Sequence, residues 1–212
     1  MRFFVTALFG LVIALLGYHG HARLGGVTAS ASKAPVSDHV PLVEQNFVKI
    51  NRKGLSKMIS DCFNLYYQYL SMANYFGRAD VALPGFQKFF TTSAERELTR
   101  AKDMMEYMNK RGGTLDLLPI KKPVTGDFSD GRSALDLARR LSRKLNARAL
   151  VNHNIAVSKR DPNLKLFYEE TIIDGQVDVI KELGDLITRL DLMNKSQRGG
   201  LALYMFDLEL QK

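Results

Sequence analysis

Residues Val43 to Phe76, VEQNFVKINRKGLSKMISDCFNLYYQYLSMANYF, decide the fold. Apolar side chains recur three and four positions apart, among them Leu55, Met58, Ile59, Phe63, Tyr66, Leu70 and Ala73. That spacing lines one face of an α-helix. Gly77 supplies a stop. The stretch is predicted as one helix of about 30 residues, longer than a typical globular helix and suited to an extended bundle.

Working outward, LPGFQKFFTTSAERELTRAKDMMEYMNKRGG (Leu83 to Gly113) predicts a second helix. Pro84 suits its first turn, and Gly112-Gly113 end it. The connection Thr114 to Gly131 holds two prolines and no apolar period. Ser133 is read as the cap of a third helix, with Asp136 three residues on. Its apolar face is Ala134, Leu137, Ala138, Leu141, Leu145 and Ala149, and Asp161-Pro162 breaks it. A fourth helix is predicted from about Asn163 to Met193, carrying Leu166, Ile173, Val177, Ile180, Leu183 and Ile187. A turn at NKSQRGG leads to a short fifth helix, LALYMFDLEL. No β-hairpin signal competes. Four long helices joined by two short links and one long one specify an all-α fold, a four-helix bundle with a long crossover and a short C-terminal helix.

The chain begins differently. Arg2 precedes an apolar run from Phe3 to Leu16, and small residues follow, ending GHA at Ala22. A basic start, a short apolar stretch and a small-residue site read as a secretory signal peptide over residues 1–22. The run is short of the roughly 20 residues that span a bilayer. A second site, ASA at Ala29 to Ala31, leaves two cleavage points open. Residues 23–46 read as a flexible extension, and 47–210 as the folded domain. The product is expected to be secreted and free of the membrane.

The formal net charge is +8 over 212 residues, and loss of Arg2 on cleavage at Ala22 leaves 29 basic against 22 acidic residues. The basic residues are dispersed, and no aromatic-basic motif accompanies them. They read as solvated helix faces, and no specific nucleic-acid partner is expected. The single cysteine, Cys62, excludes an internal disulfide, so packing must hold the fold. His19 and His21 fall in the predicted leader and His39 in the extension. Asn194-Lys195-Ser196 is a glycosylation sequon in a predicted surface turn.

One segment carries candidate chemistry. In SAERELTRA, Ser93 to Ala101, Glu97 stands three residues before Arg100. Di-iron bundles place Glu-x-x-His at this spacing, because the two positions share a helix face. Spacing alone leaves a metal site, a disabled one and an ion pair open.

In order along the chain, YLSMANYFGRADVALPGFQKFF, NKRGG, IKKP, Asp161-Pro162, IKELGDLITRL and GGLALYMFDLEL resemble the landmarks of ferritin subunits, over about Phe47 to Leu210. The resemblance implies self-assembly into a hollow cage of 24 subunits, with the last helix lining a fourfold channel. It also implies iron, ferrous or ferric, as the bound metal. Active heavy-type subunits oxidise ferrous iron at a paired site in the bundle. By this resemblance the first-helix carboxylate falls at Cys62, the second-helix pair at Glu97 and Arg100, the third-helix carboxylate at Ser142, the fourth-helix glutamine at Gln176 and the neighbouring tyrosine at Tyr69. Tyr69, Glu97 and Gln176 match; Cys62, Arg100 and Ser142 do not.

The mineral-nucleating glutamates of light-type subunits fall at Thr92, Glu95, Arg96 and Thr99, so only Glu95 remains. The acidic positions of the threefold pore fall at Leu166 and Glu169, near His153. The expectation is a secreted cage subunit that stores or carries iron rather than using it in catalysis, with little or no ferroxidase activity of its own. Such a subunit could join active subunits in a mixed cage. Two alternatives stand beside it: an active ferroxidase using variant ligands such as Cys62, Asp61 and Glu97, and a structural or yolk-type storage cage with no role in iron oxidation.

Overall fold

The structure, a computed structural model, describes residues 42–126, 128–196 and 199–212. The predicted leader and most of the extension lie outside the described residues. Every regular element among the described residues is helical. Helix α1 covers Lys49–Phe76, α2 Pro84–Lys110, α3 Gly131–Ser158, α4 Pro162–Tyr168, α5 Asp174–Ser196 and α6 Gly199–Leu210. A π-turn, Glu169–Ile173, joins α4 to α5 without a break, so Pro162 to Ser196 forms one long fourth helix.

Local chemistry sets the ends. Gly77 caps α1, its N–H reaching Ala73 O. Pro84 opens α2 where its missing N–H costs nothing. Gly112 takes φ 70°, the left-handed region that glycine tolerates. The cap of α3 is Asp130 rather than Ser133: Asp130 Oδ1 accepts from Ser133 N at 2.8 Å, and Ser133 Oγ accepts from Asp130 N at 3.2 Å. The two residues form a reciprocal capping box, with Ser133 in its third position. Asp161 accepts from Leu164 N at 3.0 Å and caps α4.

Two apolar clusters lie end to end in the bundle. One centres on Phe76, Phe86, Phe90, Phe128 and Phe206. The other holds Phe47, Leu55, Met58, Met104, Met108 and Tyr168. Their order along the chain gives the topology. Helix α1 runs from the second cluster to the first, α2 and α3 run from the first to the second, and α4–α5 returns. Parallel α2 and α3 require the long crossover between them. The change of cluster falls between Cys62 and Leu65, between Ala94 and Ala101, between Leu141 and Leu145, and between Ile172 and Val179. A polar layer occupies that level.

The fourth helix departs from the predicted face. Leu166 and Val177 are exposed, and the core takes Leu164, Tyr168, Ile172, Gln176 and Val179. Successive steps of four outrun a 3.6-residue turn. The π-turn absorbs the surplus, because it adds a residue to the turn. Leu70 on α1 is likewise exposed, while Leu65, Tyr69 and Met72 face inward. The predicted turn at Asn194 is also helical, since α5 continues through Ser196, and Asn194 is exposed in its last turn.

The last residues of the predicted flexible extension are tied down. Arg111 spans the bottom of the bundle, with Nη1 and Nη2 donating to Asp161 at 3.1 and 3.0 Å. Its Nη2 also donates to Gln45 O at 3.1 Å, and Asn46 Nδ2 donates to Arg160 O at 2.7 Å.

At the other end, α6 docks through a buried carboxylate. Asp207 Oδ1 accepts from Phe86 N at 2.9 Å, satisfying a first-turn N–H of α2 that Leu83 leaves uncapped. The approach is close enough that a Cβ on Gly85 would lie 1.9 Å from Asp207 O. Gly85→Ala is therefore expected to lift α6 from the bundle while α1–α5 persist. Limited proteolysis checks this, with new cleavage near Gly199 expected and a wild-type digestion pattern contradicting it.

Candidate metal centre

The polar layer between the two apolar clusters consists of Glu97, Arg100, Ser142 and Gln176, with Tyr69 and Cys62 beside them. Glu97, Ser142, Gln176 and Cys62 have no exposed surface, Tyr69 has 1% and Arg100 7%. Four helices supply these residues: α1 gives Cys62 and Tyr69, α2 gives Glu97 and Arg100, α3 gives Ser142 and α5 gives Gln176. The six positions assigned by resemblance thus share one level of the bundle.

The dominant interaction is an ion pair. Arg100 Nη1 donates to both oxygens of Glu97, at 2.8 and 2.7 Å. The i,i+3 spacing makes the two side chains neighbours on one face of α2. Arg96 Nε approaches Glu97 Oε1 at 3.8 Å, beyond hydrogen-bonding distance. Tyr69 Oη and Ser142 Oγ share a hydrogen bond of 3.2 Å across α1 and α3. A Cβ added to Gly175 would lie 3.7 Å from Arg100 Nη2, so α5 passes directly beside the guanidinium. Neither amide atom of Gln176 has a protein hydrogen-bond partner.

The electrostatics oppose metal ligation by the remaining groups. Burial, and then the negative charge of Glu97, push the Cys62 thiol well above its usual range, so it stays protonated. The same two causes raise the Tyr69 phenol. A hard iron ion needs anionic oxygen or imidazole donors. Here two expected carboxylate positions are a thiol and a hydroxyl. The position expected to be imidazole is a guanidinium, which has no lone pair to give and carries a positive charge of its own. Among the described residues, no three His, Cys, Asp or Glu side chains come together to hold a metal ion. Asp61 does not complete a set with Cys62 and Glu97. It is partly exposed, and its carboxylate pairs with Arg148. The residues at this centre do not fit iron.

The remaining predicted residues lie apart. His153 Nε2 and Glu169 Oε1 are 2.8 Å apart, and Lys165 Nζ is 3.2 Å from the same oxygen. The His153 bond, then that of Lys165, holds the Glu169 carboxyl below its usual range. Leu166 stands exposed beside them. Thr92, Glu95 and Thr99 lie exposed on α2. Arg96 reaches within 3.9 Å of Glu182 as well as toward Glu97. Sequence reasoning missed Asp207 and Arg111. Neither sits in a periodic pattern, and their partners are 121 and 50 residues away.

A helical bundle with a polar layer at the level where carboxylate-bridged iron sites are built defines the ferritin-like class. Residues 52–193 match the family described as "Ferritin-like domain". "Ferritin, lower subunit" of Aquarana catesbeiana is 39% identical over 165 residues, covering 78% of this chain and 95% of that protein. "Soma ferritin" of Lymnaea stagnalis is 39% identical over 170 residues, covering 80% of this chain and 95% of its own length. "Ferritin, middle subunit" of Salmo salar is 39% identical over 165 residues, covering 78% and 93%. The chain belongs to the ferritin family.

A buried charge without its partner is costly, by about 3–5 kcal/mol. Glu97→Gln or Arg100→Met alone is expected to lower stability by about that amount, and the double variant to recover most of it. Unfolding of the four proteins at one fixed protein concentration measures the coupling. Additive losses would contradict the pairing.

Proposed function

We propose that this chain is an iron-storage ferritin subunit with little or no ferroxidase activity of its own. The observation that carries the reading is Arg100, whose guanidinium engages both oxygens of the only carboxylate in the polar layer. A fixed positive charge against both oxygens of that carboxylate repels a second cation and leaves it little net negative charge to hold one. Two further donors are absent at Cys62 and Ser142. The scaffold around them is intact, which suits a subunit kept for assembly and storage. We propose assembly into a 24-subunit cage, alone or mixed with subunits that oxidise iron.

Iron, as cargo, would reach this cage slowly through its own threefold pores. Glu169 is already engaged by His153 and Lys165, and Leu166 offers no charge. A pore with its acidic ring neutralised focuses cations weakly. Storage would then rest on iron oxidised elsewhere, with Glu95 as a remaining mineral-nucleating carboxylate. The leader-like first 22 residues support secretion of the mature subunit.

The purified homomer is expected to oxidise ferrous iron at least about a hundredfold more slowly than a heavy-type subunit, given the loss of primary ligands. Cys62→Glu, Arg100→His and Ser142→Glu together are expected to restore saturable oxidation. A fast wild type, or a folded triple variant that stays inactive, would contradict ligand loss as the cause. Expression through a secretory pathway is expected to yield a chain starting at Arg23 or Ser32. N-terminal sequencing that finds Met1 on the released protein would refute secretion by this route.

A further inference from the structure

A half-open cleft of about 230 Å³ lies between α1, α3 and the long crossover, level with the polar layer but lined by none of its residues. Its floor is apolar, formed by Leu65, Leu141 and Leu145 with Val124 above them. Its rim carries Lys121, Lys122 and Lys144.

The wall is fixed rather than loose. Asn64 Oδ1 accepts from Lys121 N at 2.7 Å. Gln68, a buried residue, accepts from Val124 N at 2.8 Å and donates to Val124 O at 2.9 Å. Two side chains of α1 thus hold the crossover much as a neighbouring strand would. The lysine-bearing segment keeps its place against α1.

The charge is unbalanced. Asp61 is the one carboxylate lining the cleft, and Arg148 already pairs with it. Lys121, Lys122 and Lys144 form no ion pair among the described residues. Three ammonium groups favour an anion over a cation, and the apolar floor favours an anion that carries hydrocarbon. The volume falls below the roughly 300–1,000 Å³ of sites for drug-sized ligands.

We propose that this cleft binds a small amphipathic anion, an oxyanion head on a short hydrocarbon body. The head lies among Lys121, Lys122 and Lys144, and the body rests on Leu65, Leu141 and Leu145. Removal of apolar surface supplies the attraction and the lysines supply the sign selectivity. The proposal is independent of iron chemistry, so it stands or falls apart from the storage reading.

Isothermal titration calorimetry of the assembled protein with sodium octanoate tests it. Saturable binding at one site per subunit is expected. Lys121→Glu with Lys144→Glu, both exposed and outside the core, should weaken it at least about tenfold. Lys102→Glu, an exposed lysine on α2, should leave it unchanged. Octylamine, with the same chain and the opposite charge, should not compete. Absence of saturable binding, an equal loss in the Lys102 variant, or competition by octylamine would each overturn the proposal.

Discussion

A carboxylate sealed in the middle of a helical bundle must be neutralised where it stands, because the effective penalty of leaving an ion there is several kcal/mol. Glu97 is such a group, with no exposed surface. In a metal-binding bundle, cations bound between carboxylates meet that need. In this chain Arg100 meets it from one turn away on the same helix. The choice of counter-charge governs the rest of the layer. With a fixed internal cation, further carboxylates at positions 62 and 142 are unnecessary for charge balance, and a thiol and a hydroxyl fill the space. The Tyr69–Ser142 hydrogen bond then closes the gap between α1 and α3.

The same constraint explains why the scaffold tolerates the change. The polar layer is bounded on both sides by apolar clusters, one aromatic-rich and one methionine-rich. Those clusters hold the four long helices together whether or not a metal is bound. The ends are secured separately, by Asp207 at the start of α2 and by the Arg111–Asp161 pair at the far end. The buried amide of Gln176 keeps the place of a metal-site residue without a protein partner.

Much of this was legible in the sequence. The long apolar periods around Leu55 to Ala73 and Ala134 to Ala149 fix helices, and the unpatterned Thr114 to Gly131 requires a crossover. Resemblance pointed to the four residues of the polar layer and to Tyr69 and Cys62 beside it. What spacing could not show is how one face shifts within a helix. In a regular helix Leu166 and Val177 share a face with Ile173 and Ile180, but the structure has a π-turn at Glu169–Ile173 and buries Ile172, Gln176 and Val179 instead. Ser133 matches a capping signal by itself, but the cap is Asp130, and the two act together. The lysine-rimmed cleft is not legible in the sequence because its walls come from α1, α3 and an aperiodic segment that tertiary hydrogen bonds through Asn64 and Gln68 help hold in place.

The central claim is that Arg100 occupies the charge balance a metal would otherwise provide. Diffraction from crystals soaked in ferrous iron, with anomalous maps recorded at the iron edge, tests it most directly. The account predicts no iron peak in the bundle between Glu97 and Gln176, with the Glu97–Arg100 pair retained. An ordered iron ion bound by Glu97, with Arg100 swung aside, would contradict it.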